Sequence, residues 1–101
     1  MYVNMACKAL AEGHRLAVEC DGTRQVVEVH AVGLSISGNE ALLGFIVRNE
    51  KGMITGTDAP GWRFLTFDKV EKIDELEELS LAPRREFHRD DARFVRIYRQ
   101  M

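Results

Sequence analysis

The residues best suited to chemistry are cationic and aromatic rather than nucleophilic. The chain has a single tryptophan, Trp62; Arg63 follows it directly and Lys69 lies a few residues on. Two cations beside a π-face are what a nucleotide site needs, charge for the phosphate and a ring for the base. The bland alternative is that Arg63 and Lys69 are surface charges and Trp62 caps the core. Arg89, Arg93 and Arg96 form a second basic group near the C-terminus. They could neutralise phosphates, which makes binding steeply salt-dependent, or they could pair with the acidic run Glu71 to Glu78. His30 sits among valines, where it can serve as a half-buried structural residue or touch a ligand.

Catalytic and metal chemistries find little footing. Ser35 and Ser37 lack a G-x-S-x-G context. Cys7 and Cys20 form no C-x-x-C pair, and His14, His30 and His88 stand at no diagnostic spacing from them. Gly52, Gly56 and Gly61 do not open a helix, so no phosphate loop of the usual kind exists. The reading is a non-enzyme with no catalytic residue, no cofactor and no metal, its cysteines two reduced thiols of a cytoplasmic protein.

These side chains need a scaffold, and 101 residues supply one domain. No stretch approaches a membrane span, and Met1-Tyr2-Val3-Asn4 lacks the features of a secretory leader. The net charge is −2, but residues 68–80 carry −4 and residues 84–101 carry +3. An acidic segment is thus followed by a basic tail.

Met5, Ala6, Ala9 and Leu10 predict a helix over residues 4–12, stopped by Gly13. Strands follow over 15–20, 25–34, 41–48 and 62–67, with Asp21-Gly22 as a tight hairpin turn. In the second strand Val27, Val29 and Ala31 share one face and Val26, Glu28, His30 and Val32 the other, so it is central or bent. A short segment over 53–57, an extension over 70–73 and one helical turn over 74–79 complete this part. Phe94, Ile97, Tyr98 and Met101 fall at i, i+3, i+4 and i+7 after Asp90-Asp91, predicting a short C-terminal helix with Arg89, Arg93 and Arg96 opposite. The expected fold is mainly β with flanking helices, a small antiparallel barrel.

Three stretches carry a family resemblance. Ala9-Leu10 with Arg15-Leu16-Ala17-Val18-Glu19, then Val29-His30-Ala31-Val32-Gly33-Leu34, then Phe67-Asp68-Lys69-Val70 resemble the WYL domain family in order and spacing. Pro60-Gly61-Trp62-Arg63 and the tail from Arg89-Asp90-Asp91 to Ile97-Tyr98-Arg99-Gln100 are similar to short, stand-alone bacterial WYL-like proteins. The resemblance implies one WYL-like domain over residues 1–101, with its core over about 5–73 and an acidic segment and basic tail over 74–101. It implies an Sm-like, SH3-type barrel that senses a ligand or regulates transcription, holding a nucleotide or single-stranded nucleic acid. It assigns ligand contact to His30 and places Lys69 where a family arginine stands; by their chemistry Trp62, Arg63 and Lys69 complete the expected site, with Arg89, Arg93 and Arg96 as further phosphate contacts. Replacing Arg63 and Lys69 by Ala is then expected to abolish binding. The positions of the family's naming tripeptide hold Ala41-Leu42-Leu43, and Leu65-Thr66 stand where Phe-Arg is usual. Those departures support the alternative of a protein-interaction or oligomerisation module, a homodimer or the companion of a regulatory protein.

Overall fold

A computed structural model describes residues 2–49 and 61–101. Helix α1 (Tyr2–Glu12) leads into six strands: β1 (His14–Cys20), β2 (Thr23–Ser35), β3 (Glu40–Asn49), β4 (Gly61–Thr66), β5 (Lys72–Leu79) and β6 (Phe94–Gln100). A 3-10 turn over Phe67–Lys69 separates β4 from β5. The expected segment over 53–57, the turn residues 50–52 and Pro60 lie outside the described residues.

All pairings are antiparallel and give the order β4-β3-β2-β1-β5, with β6 also on β2. Among the described residues this path does not close into a ring. The turn between β1 and β2 places Asp21 at φ 51° and Gly22 at φ 72°. Two successive positive φ values are the geometry of a tight primed turn, whose twist matches that of the strands.

Strand β2 is both central and bent. Its first part, Thr23 to Val27, pairs with β1, and its second, Ala31 to Ser35, pairs with β6. Opposite β3 the register runs from Val29↔Gly44 to Ala31↔Leu43, so His30 is an extra residue in a bulge. The bulge corrects the expected alternation: Val27 and Val29 join one core with Val32, while Ala31 belongs to the other.

The first core lies beneath α1. Ala6 and Ala9 are fully buried against Leu16, Val18, Val29, Leu42 and Ile46. Small side chains on the inner face of α1 let it lie close to the sheet. The second core, on the opposite face, gathers Ala31, Ala41, Leu43 and Phe94 with Trp62, Phe64, Phe87 and Ile97.

Two expected helices are strands. The acidic turn over 74–79 is part of β5, paired with β1 from Val18↔Ile73 to His14↔Leu79. Its carboxylates stay extended because partners meet them there: Arg24 reaches Asp74, Lys8 and the His14 imidazole reach Glu75, and Arg15 and Arg48 reach Glu78. The C-terminal helix is strand β6. The second half of β2 has no β1 residues opposite it, and buried backbone groups must be paired. Gly33 makes that pairing possible, since a Cβ there would stand 2.2 Å from the Arg96 carbonyl oxygen.

Candidate functional site

The second face of the sheet carries the unusual side chains. Glu28 and His30 are fully buried on β2, covered by the chain that crosses after β5. A buried carboxylate needs partners in full, and Glu28 has them. Its Oε1 accepts from Arg84 Nε at 2.6 Å, and its Oε2 accepts from Arg15 Nε at 3.1 Å and the Leu81 amide at 2.8 Å. Burial alone would raise its pKa. The hydrogen bonds from Arg84, Leu81 and Arg15 outweigh burial and hold it below the ordinary carboxylate range.

His30 is equally committed. The Arg84 amide donates to its Nε2 at 2.9 Å, so that nitrogen carries a lone pair. Nδ1 therefore bears the proton and donates to the Glu28 carbonyl oxygen at 2.9 Å. Burial pushes the imidazole pKa down, with the Arg84 charge acting in the same sense and Glu28 against it. Neither ring nitrogen is left for a ligand. What His30 offers is its ring, packed edge-to-face with Trp62 at 4.7 Å between ring centres.

Trp62 is the centre of an aromatic group. Phe45 meets it edge-on at 5.5 Å and Phe87 stacks at 6.3 Å with an interplanar angle of 28°. Beside Trp62 opens a cavity of about 300 Å³. Leu43, Trp62 and Phe87 give its apolar walls, and Glu86, His88, Asp91 and Arg93 its polar ones. Arg93 is fixed by Asp91 through Nε–Oδ1 at 3.0 Å and Nη2–Oδ2 at 2.9 Å, and lies over the Phe64 ring at 4.8 Å. The hydrogen bonds from Arg93 hold Asp91 below its usual range, and Asp91 in turn raises Arg93.

The expected site residues are thus only partly gathered. Trp62 and Arg93 line one cavity, with His30 behind the indole. Arg63 follows Trp62 in β4 and leaves the opposite face of the strand, its Nη1 donating to the Trp62 carbonyl oxygen at 2.8 Å. Lys69 is exposed at the end of the 3-10 turn. Arg89 donates to the Met101 carbonyl oxygen, and Arg96 lies 5.9 Å over Tyr98 on β6. The three tail arginines therefore form no single stripe.

Sequence reasoning missed Glu28, Arg84, Phe87, Glu86 and His88. One signal was available: Glu28 stands in a strand apolar on both faces, where a carboxylate is buried and demands a cation. Among the described residues no helix is long and apolar enough to cross a membrane. No known protein family, curated protein or solved structure matches the chain.

Proposed function

We propose that this chain is a non-catalytic, cytoplasmic binding module of the WYL type, with its ligand site in the Trp62 cavity. The bent sheet is then a half-open version of an SH3-type barrel. The ligand is a small anion with a planar ring, a nucleotide free or within single-stranded nucleic acid. One observation carries the reading: Trp62 and Arg93, an aromatic face and a cation, converge on one cavity. About 300 Å³ is at the small end of the range for ligand sites and suits a single nucleoside. The base stacks along Trp62 and Phe87, Glu86 accepts from a ring amine, and Arg93 with His88 meets the phosphate.

Calorimetric titration with mononucleotides and a short single-stranded oligonucleotide tests this at low and moderate salt. The expected result is binding that weakens as salt rises, is lost in Arg93→Ala, and survives Arg63→Ala and Lys69→Ala. No heat with any nucleotide, or loss of binding in Lys69→Ala with Arg93→Ala unaffected, overturns the placement.

A second reading, a protein-interaction module, is favoured by the exposed apolar side chains Ile36, Leu79, Leu81 and Val95. It predicts self-association at tens of micromolar protein and no nucleotide binding.

A further inference from the structure

A second polar cluster lies away from the Trp62 cavity. Gly13, at φ 71°, turns the chain from α1 into β1, so Glu12 and His14 flank a single residue. β5 runs antiparallel to β1 and brings Glu75 beside them. His14 Nδ1 stands 2.7 Å from Glu75 Oε2 and 3.6 Å from Glu12 Oε1. The three donor atoms all fall within 4.8 Å of one another.

We propose that Glu12, His14 and Glu75 form a binding site for a zinc-class divalent cation. One imidazole nitrogen and two carboxylate oxygens from three different elements are a donor set that zinc accepts. With bonds near 2.1 Å, neighbouring ligands of a tetrahedral ion stand about 3.4 Å apart. The separations of 2.7 and 3.6 Å lie on either side of that spacing, so side-chain adjustment suffices. Magnesium and calcium prefer all-oxygen shells and fit this set less well. All three donor residues line an open cavity of about 600 Å³ shared with Asn4 and Glu77, from which water or an anionic ligand would complete the shell.

Lys8 holds the cation's place in the metal-free chain. Its Nζ lies 3.1 Å from Glu75 Oε1 and 3.8 Å from Glu12 Oε1. Its side chain is 62% exposed, so it can swing into water when a doubly charged ion arrives. Binding also replaces the contact between His14 Nδ1 and Glu75 Oε2 with bonds from each to the ion.

The test is calorimetry and thermal melting of the full chain with zinc chloride, with a non-thiol reductant keeping Cys7 and Cys20 reduced. The expected result is one ion per chain and a melting temperature that climbs with zinc concentration. His14→Ala and Glu75→Gln each weaken binding by about tenfold or more, at least the loss seen when even outer-shell partners of a metal are removed. Lys8→Ala tightens it, because the competing ammonium is gone, and this exposed change spares the fold. Zinc bound equally well by His14→Ala, no binding by either the native chain or Lys8→Ala, or magnesium bound more tightly than zinc overturns the assignment.

Discussion

Glu28 gathers three donors at one carboxylate: Arg15 of β1, and Leu81 and Arg84 of the crossing segment. Removing it leaves the largely buried guanidinium groups of Arg15 and Arg84 and the Leu81 amide without their shared acceptor. Glu28→Ala is expected to lower stability by about 3–5 kcal/mol, the range for breaking a buried ion pair, measured as the shift in a urea melt. A loss within the ~0.5 kcal/mol typical of surface substitutions contradicts the buried network. This residue was partly legible: a carboxylate flanked by valines in β2 announces a buried charge. Its partner was not, because Arg84 is 56 residues away in sequence and only the path after β5 brings it there.

At the scale of elements, β1 through β4 follow from short apolar and β-branched runs set between turn residues such as Asp21-Gly22, whereas the C-terminal strand does not. Phe94, Ile97, Tyr98 and Met101 satisfy a helical period. Register shifts in the β2–β6 pairing, between Val32 and Gly33 and between Leu34 and Ser35, blur the period of two that would have marked a strand. The deciding fact is not local to those residues. β2 spans 13 residues and β1 only 7, so the far half of β2 needs another partner. Gly33 is the gate for that partner, with the Arg96 carbonyl oxygen and Ile97 Cα too close for any Cβ. Both obstacles are backbone atoms and cannot rotate away. Gly33→Ala should cost about 1–3 kcal/mol, as overpacking does, and should speed amide exchange along β6 while β1 to β3 stay protected. Unchanged β6 protection contradicts this packing.

At the scale of the whole molecule, acid sensitivity follows from its charge pairs. Burial lowers the His30 pKa from its ordinary 6.5, so the unfolded chain takes up that proton first and stability falls as pH drops through 6.5. Hydrogen bonds from His14 and from Arg48 bring Glu75 and Glu78 respectively from 4.5 to about 2. Folded carboxyls that bind protons more weakly than unfolded ones stabilise the fold above about pH 5, and that share is lost as pH falls toward 2. Urea midpoints should be level above pH 7, drop by pH 5.5 and drop again below pH 4.5; a flat profile from 7.5 to 5 contradicts the assignment of a neutral, buried His30. The acidic run was legible as charge but not as structure. Its cations, Lys8, Arg15, Arg24 and Arg48, come from the first half of the chain rather than from the basic tail.

The claim that a planar anion stacks in the cavity beside Trp62 has a direct reporter, because Trp62 is the only tryptophan in the chain. Titrating mononucleotides at low salt while following its emission should quench or shift the signal to saturation, with the change abolished in Arg93→Ala. Emission that does not respond to any nucleotide, in a folded sample, contradicts the account.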